Sequence, residues 1–361
     1  MKISRVKLEN FKRFKNLEFE VKNHLLNEIA DQFLILGDNG TGKTSVLQAI
    51  ALCLSLAAGP TRNVHQFDWP GWLPQRYEKW GVPVVELDVH FTPDEIQATQ
   101  EIAREWQRQS GPKHGEFVEP GDWAQVTLRL ASGQCQVSNA PRQCLFQFMG
   151  RFYASRLLSQ NPDIADFFYR LPGIFWFDQY RNLASKSWHG PESNPNPLGN
   201  YSNSVSLLRK QLTSWWLNRF AGGGGHRDWL LELENSYKNV FPGRSFSGLE
   251  PMFQGGIPTP TDYFFLLSDG SRTYDIEEMS SGEQSVFPLL VDFVRLQIRN
   301  SVILIDEIDL NLHPPLAQAV LMALPNIGPQ CQFIFTTHSD AVSSLVSQEE
   351  ILRLPGGRLC L

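Results

Sequence analysis

Alternating apolar and polar residues predict antiparallel strands in the first third of the chain. Residues 1–22 alternate on both sides of Asn10–Phe14, which predicts a hairpin of two strands. The alternation recurs at Val84–Phe91, at Ala124–Leu130 and at Gln134–Ser138. In strands of this kind one face packs on the core and the other meets water. We therefore expect an antiparallel β-subdomain in this part of the chain.

Continuous apolar runs predict a second kind of strand, buried on both faces. These runs lie at Gln32–Leu36, Gly173–Phe177, 301–306 and 332–337. Apolar residues at helical spacing fall at Thr44–Ala58, 284–299 and 314–323. Buried strands that alternate with helices are typical of a parallel sheet with covering helices. The sequence thus predicts an α/β fold to which the antiparallel subdomain is attached.

The middle of the chain predicts helices joined by loops. Helices are expected near 204–220 and 226–240, on either side of the glycine run Gly222–Gly225, which is typical of a flexible linker. Residues 242–262 are rich in Pro and Gly and predict a connection without regular structure. No heptad pattern of three or more repeats occurs, so no long coiled coil is expected.

Three segments follow from this pattern. They are an N-terminal half of the α/β head with the antiparallel subdomain (1–140), a mostly helical insert (141–262) and a C-terminal half of the head (263–361).

A glycine-rich loop joins the strand at Gln32–Leu36 to the helix at Thr44–Ala58. Its sequence fits G-x-x-x-x-G-K-[ST], in the strand–loop–helix context in which that motif binds phosphates. Backbone N–H groups of the loop can fold around the phosphates, and the helix N-terminus adds partial positive charge. Lys43 is expected to pair with the β- and γ-phosphates and Thr44 to bind Mg²⁺. The candidate ATP-binding residues of the loop are Gly37, Asp38, Asn39, Gly40, Thr41, Gly42, Lys43, Thr44 and Ser45.

Candidate catalytic residues follow two of the apolar strands. Asp306 and Glu307 end the strand at 301–306, where Asp306 is expected to hold Mg²⁺, directly or through water, and Glu307 to polarise the attacking water. A solvated strand end is the alternative, and the apolar residues that lead into the two acids argue against it. His338 follows the strand at 332–337. It could contact the γ-phosphate or the attacking water, or serve only the structure.

The segment Met279–Gln284 precedes the helix that leads to the Asp306 strand. Ser280 and the N–H of Gly282 lie at a helix start, where they can present donors to an anion. An ordinary helix cap has the same pattern, and the position upstream of Asp306 is what favours an anion contact.

These motifs together carry a family resemblance. The set GDNGTGKT, MSSGEQ, VILIDEID and TTHS resembles, in that order, the ABC-type ATPase heads of the SMC/RecF/OLD group. Asn10–Phe14 and DEIDLNLHP are similar to that group's N-terminal hairpin and its Walker B–D-loop segment. The middle is only loosely similar to the insert of small stand-alone ATPases, some of which serve in bacterial anti-phage defence. The resemblance implies ATP and Mg²⁺ as cofactors and a homodimer that hydrolyses ATP between two copies.

The resemblance also implies roles for particular residues. Ser280 and Gly282 would contact the γ-phosphate bound to the other subunit, and Asp309 would lie along the dimer interface. Gln179, after the strand at Gly173–Phe177, is the candidate Q-loop residue for Mg²⁺ or the water. Alternatives for that role are Gln75, Tyr180 and Arg181.

Departures from the group shape the expected function. Members that process DNA ends carry long coiled coils, and OLD nucleases carry a C-terminal Toprim domain, for which the residues after His338 leave no room. We therefore expect no nuclease activity of the chain itself. By analogy, it would control a partner effector, for example a nuclease encoded nearby, in defence against foreign DNA. The alternatives are a DNA-binding repair or recombination ATPase of RecF type and the nucleotide-binding subunit of a transporter.

Composition limits the partners and the location. The net charge of −6 argues against nucleic-acid binding over the whole surface. Basic residues nevertheless crowd the first 22 positions, where they could contact phosphates of ATP or nucleic acid, or form a solvated face. Five scattered cysteines without metal-ligand spacing indicate a reducing compartment. With no signal-peptide pattern and no apolar run of about 18 residues, a cytoplasmic protein without membrane contact is expected.

Overall fold

The computed structural model describes residues 1–59, 63–67, 69, 71–110, 117–179, 197–220, 228–253 and 259–355. The strands are, in chain order, β1 (Lys2–Phe11), β2 (Phe14–Glu20), β3 (Lys22–Asn23), β4 (Glu28–Ile29), β5 (Gln32–Leu36), β6 (Val84–His90), β7 (Gln125–Ala131), β8 (Gln134–Val137), β9 (Ile174–Phe177), β10 (Ser245–Pro251), β11 (Tyr263–Ser268), β12 (Thr273–Asp275), β13 (Val302–Ile305), β14 (Gln332–Thr337) and β15 (Ile351–Arg353). The helices are α1 (Lys43–Ala57), α2 (Pro93–Ser110), α3 (Gly150–Leu157), α4 (Pro197–Phe220), α5 (Trp229–Val240), α6 (Ser281–Arg295), α7 (Pro314–Ile327) and α8 (Asp340–Ser343).

The chain divides into two compact units. The first unit comprises Met1–Phe177, Ile298–Ile308 and Gly328–Leu361, and the second comprises Asp178–Gln297 and Asp309–Ile327.

An antiparallel sheet of the first unit has the strand order β2-β1-β6-β7-β8. Its apolar positions, such as Val6, Leu87 and Leu128, are fully buried, while the alternate positions carry charged residues. The chain turns from β1 to β2 through Asn10 and Lys12, both in the left-handed region with φ of 50° and 51°. The predicted antiparallel subdomain, with its N-terminal hairpin, is therefore present.

A parallel sheet of the same unit has the strand order β15-β5-β14-β13-β9. Helix α1 contacts strands of both sheets, which explains why it is apolar on nearly all sides. Because the strands run parallel, the carboxyl ends of β5, β13 and β14 lie at one edge of the sheet. The glycine loop, Asp306 and His338 follow these three ends, and the predicted α/β fold is confirmed.

The second unit contains helices α4 to α7 and the three-stranded sheet β10-β11-β12. A short turn that contains Asp269 and Gly270 joins β11 to β12. The expectation of an irregular connection at 242–262 is wrong in part, because β10 forms there and pairs with β11. A register shift at Gly248 and the terminal Pro251 obscure the strand pattern, although Phe246 is buried as a strand residue should be.

The helices of the described residues differ from membrane-spanning helices and from long coiled coils. No helix in that part of the chain is long and apolar enough to cross a membrane. The longest helix there, α4, has 24 residues, so the described segments contain no long coiled coil.

Candidate nucleotide-binding site

The conformation of the glycine loop between β5 and α1 tolerates few other residues at particular positions. Gly42 has a φ of 102°, and a Cβ there would lie 2.6 Å from both Arg13 Cδ and Phe14 Cζ. Thr41 is buried and its hydroxyl donates to the Asp38 carbonyl at 2.8 Å, which fixes the curve of the loop. Asp38, Asn39 and Gly40 are exposed. The N–H groups of this rim can therefore reach an anion from solvent.

Lys43 points its charge into the loop. The side chain is 6% exposed, and Nζ donates to the carbonyls of Gly37 at 2.6 Å and Asp38 at 3.1 Å. Both acceptors are neutral carbonyls. Phosphate oxygens carry negative charge and therefore form stronger hydrogen bonds with the ammonium, so they can replace these carbonyls at little cost. Lys43 is thus held ready for an anion in the loop.

The hydroxyl of Thr44 meets the carboxylate of Asp306. Thr44 Oγ1 donates to Asp306 Oδ2 at 2.8 Å, and Asp306 is 1% exposed. The Asp306 N–H donates to the Phe177 carbonyl at 2.9 Å, so the carboxylate sits between the ends of β9 and β14. A hydroxyl and a carboxylate in contact at a phosphate loop are oxygen donors of the kind that Mg²⁺ prefers.

Thr336, in β14, ties the two predicted acids together, and the sequence reasoning missed it. Its hydroxyl donates to Asp306 Oδ1 at 2.7 Å and accepts the N–H of Glu307 at 2.8 Å. Glu307 itself has a φ of 49°, a conformation that costs energy for a residue with a side chain. The available signal was the pair of threonines, Thr336 and Thr337, after the apolar residues of the strand.

His338 and Gln179 each come after a strand of the parallel sheet. His338 follows β14 at the same sheet edge and is exposed. Gln179 follows β9 by two residues and is half-buried, while the alternatives Tyr180 and Arg181 lie outside the described residues. Gln75 lies in a short 3-10 helix and is exposed.

The signature segment Met279–Gln284 belongs to the second unit. Ser280 is the N-cap of α6 and forms a capping box with Glu283, as the helix-start prediction requires. A Cβ on Gly282 would lie 2.7 Å from Leu316 Cδ2, so a larger residue would require the Leu316 side chain to move. Asp309 begins the second stretch of this unit, and its carbonyl accepts the N–H of Leu312 at 3.0 Å.

Most charges of the basic hairpin are neutralised within the fold. Ion pairs join Lys2 to Asp31, Arg5 to Glu18 and Asp88, Lys7 to Glu9, and Lys22 to Glu20. Lys12 donates to the side chain of Gln48 and to the Gly71 carbonyl, and burial lowers its pKa to about 8. Arg13 and Lys15 are exposed.

The first unit thus brings a phosphate-binding loop, a buried lysine and two strand-end acids to one edge of a parallel sheet. That arrangement defines a P-loop nucleotide-binding protein.

Comparisons with known proteins narrow the class. A family model described as "AAA domain, putative AbiEii toxin, Type IV TA system" matches residues 163–344, half of the chain, and one described as "AAA ATPase domain" matches residues 1–102. The chain belongs to this AAA domain family. It is accordingly an ATPase, as the sequence predicted.

Individual relatives are distant. The chain is 22% identical to the Retron Vc95 probable ATPase of Vibrio cholerae serotype O1 biovar El Tor, over 97% of this chain and 73% of that protein. It is 23% identical to the Septu protein PtuA of Bacillus mycoides (strain KBAB4), over 93% of this chain but only 38% of that protein. The SMC head domain from Thermotoga maritima is 14% identical, with a TM-score of 0.44 over 95% of this chain and 92% of the other. A likeness at that TM-score does not define a fold.

Proposed function

We propose that the chain is a nucleotide-gated dimer in which each nucleotide is enclosed by the loop of one copy and the signature segment of the other. The observation that carries the proposal is the continuous contact from Thr44 through Asp306 and Thr336 to Glu307, beside the buried Lys43. It joins the side chains of Thr44, Asp306 and Thr336 to the backbone of Glu307, and so links the candidate groups for metal binding and water activation beside the phosphate loop.

The residues of the loop suit ATP with Mg²⁺. Lys43 and the loop N–H groups bind the phosphates, with Asp38, Asn39, Gly40 and Ser45 at the rim. Thr44 and Asp306, bonded to each other at 2.8 Å, supply the two oxygen donors for the ion, and Gln179 is a further candidate. Bound Mg²⁺ would neutralise charge on the phosphate oxygens during transfer.

Glu307 acts as the group that orients and polarises the attacking water. Its backbone N–H donates to the hydroxyl of Thr336, which fixes the backbone from which the side chain extends. His338, exposed at the same sheet edge, is the second candidate for contact with the water or the γ-phosphate. Both roles need only positioning and electrostatics, which is how phosphoryl transfer is usually catalysed.

The signature segment completes the site of a second copy. Ser280 is exposed at the N-terminus of α6, a helix of 15 residues whose dipole favours an anion there. Gly282 lets the first turn of α6 pack closely on Leu316, and Asp309 would line the dimer interface. Hydrolysis would then require the dimer.

The relatives suggest what the dimer controls. A retron ATPase and a Septu protein are among them, which favours a role in anti-phage defence through a partner effector, with a nuclease as the leading candidate. A DNA-binding ATPase of RecF type is the second candidate, for which the basic hairpin was the main support. Its internal ion pairs at Lys2, Arg5, Lys7 and Lys22 weaken that support.

Trapping the dimer tests the proposal. Glu307→Gln should still bind ATP but not hydrolyse it, so sizing by light scattering at saturating ATP and Mg²⁺ should give a dimer. The double variant with Lys43→Ala should stay monomeric under the same conditions, since it lacks the main phosphate contact. A monomeric Glu307→Gln protein with ATP bound would refute the gated dimer.

A further inference from the structure

The glutamate of the signature segment is buried, which a helix cap alone does not require. Glu283 is the third residue of α6 and the glutamate of its capping box, and it is 2% exposed, although glutamate side chains mostly lie at the surface. Burying a carboxylate costs several kcal/mol unless hydrogen bonds compensate. Its partners therefore indicate what the burial serves.

The two oxygens of Glu283 face different partners. Oε2 accepts the Ser280 N–H at 3.0 Å and the Ser280 hydroxyl at 2.7 Å. Oε1 accepts the hydroxyl of Tyr237 at 2.6 Å and that of Tyr274 at 2.7 Å, and lies 3.5 Å from Arg244 Nη1. One carboxylate thus connects α5, β12 and the turn after α5 to the signature serine.

The carboxylate is held in its charged form. Burial alone would raise the pKa of Glu283, but hydrogen bonds from Tyr237, Tyr274 and Ser280 outweigh burial and leave the pKa below its ordinary value. An ionised carboxylate accepts hydrogen bonds only. The proton of the Ser280 hydroxyl therefore points to Glu283, and it must turn away before Ser280 can donate to a phosphate.

If the Ser280 hydroxyl changes its hydrogen-bond partner, the carboxylate of Glu283 must still be stabilised by other groups. If Ser280 turns to a phosphate, Oε2 loses one of its donors in a buried place. Tyr237, itself fully buried, and Tyr274 keep Oε1 satisfied, and Arg244 supplies the nearby positive charge. Glu283 can then stay in position and continue to hold the Ser280 backbone.

We propose that Tyr237, Tyr274 and Arg244 are positioning residues for ATP hydrolysis, which fix Glu283 so that Ser280 can engage the nucleotide held by the other copy. The proposal rests on the composite site proposed above. It makes turnover depend on α5, so that a change in α5 of one copy alters hydrolysis at the loop of its partner.

Mixed dimers test this directly. A Ser280→Arg chain supplies an intact loop and a Lys43→Ala chain supplies an intact signature, so the mixed dimer has one working composite site. Adding Tyr237→Phe to the Lys43→Ala chain should lower the kcat of the mixture about tenfold, the effect of one hydrogen bond to a charged group, with KM within about twofold. The same change in the Ser280→Arg chain should alter kcat by less than about twofold.

The outcomes are separable. Equal losses from Tyr237→Phe in either chain would mean a general structural role, and no loss in either would mean no role, so both results overturn the inference. An inactive mixture of the two parent chains would overturn the composite site itself, before any tyrosine is changed.

Two further variants guard the test against misfolding. Arg244→Gln changes a side chain that is 31% exposed, so it spares the core and should show the same dependence on the chain that carries it. Tyr153→Phe is the matched control, because this buried hydroxyl lies 3.9 Å from Met149 Sδ in the first unit. It should leave kcat unchanged in both chains.

Discussion

The hydroxyl of Thr336 donates to Asp306 Oδ1 at 2.7 Å and at the same time accepts the N–H of Glu307 at 2.8 Å. One side chain thereby orients the candidate metal ligand and the backbone of the candidate catalytic acid. A hydrogen bond of this kind sets the direction of the carboxylate lone pairs, which decides how well an ion beside Thr44 can be bound.

Thr336→Val should raise the Mg²⁺ concentration needed for half-maximal ATP hydrolysis by roughly tenfold to a hundredfold. The change keeps the branched shape but removes the hydroxyl, and loss of such a supporting bond usually costs that much in metal affinity or activity. Binding of ATP without Mg²⁺ should stay within about threefold, because Lys43 and the loop are untouched. Mg²⁺ titrations of hydrolysis and of fluorescent-nucleotide binding measure both.

Thr99→Val is the control for that substitution. Thr99 is 1% exposed and its hydroxyl has no partner within the described part of the chain, so valine should fit without changing hydrolysis. An unchanged Mg²⁺ requirement in Thr336→Val would mean that the threonine only fills space.

Residues of the candidate site that belong to a motif or to a strand end could be predicted from the sequence. Residues whose partners are distant in sequence could not. Lys43, Thr44 and Asp306 were identifiable because a motif or a strand end marks each of them. Thr336 and Tyr237 were not, because their importance depends on which side chains the fold brings to them. The hairpin is a similar case, since a basic run in sequence gives no sign of the acids on β2 and β6 that neutralise it.

Lys12 should make stability depend on alkaline pH. Burial lowers its pKa to about 8, below the ordinary value of 10.5, so the unfolded chain binds more protons between these values. The free energy of unfolding of the wild type should therefore rise from pH 8 to pH 10 relative to Lys12→Met, by about 1 to 2 kcal/mol. Urea unfolding of both proteins at several pH values measures the difference.

Two results would speak against this account of Lys12. Parallel pH profiles for the wild type and Lys12→Met would mean that the ammonium is solvated in the folded protein. A wild type that loses stability relative to Lys12→Met towards alkaline pH would mean that the pKa of Lys12 is raised rather than lowered. Lys15→Met, at an exposed position of the same hairpin, should follow the wild type.

The isolated chain should hydrolyse ATP slowly and cleave no nucleic acid with Mg²⁺ or Mn²⁺. Metal-dependent cleavage usually needs several acids around one or two ions. Within the described residues, no group of three or more His, Cys, Asp or Glu side chains is placed to hold a metal ion. We propose Asp306 and Glu307 for the nucleotide site, and Glu232 and Glu234 lie on α5. Incubation with plasmid and with single-stranded DNA, followed by electrophoresis, measures the activity.

Effector chemistry should therefore appear only when a second protein is added, and it should depend on the ATPase. Lys43→Ala should abolish the dependence of that chemistry on ATP, since it removes the proposed phosphate contact. The informative contrary result is cleavage by the isolated chain that survives in Lys43→Ala but disappears when an acid of the insert, such as Glu232, is replaced by glutamine. Such a pattern would locate a second catalytic centre in this chain. The chain would then be an enzyme that acts directly on nucleic acid, and not a regulator of a partner.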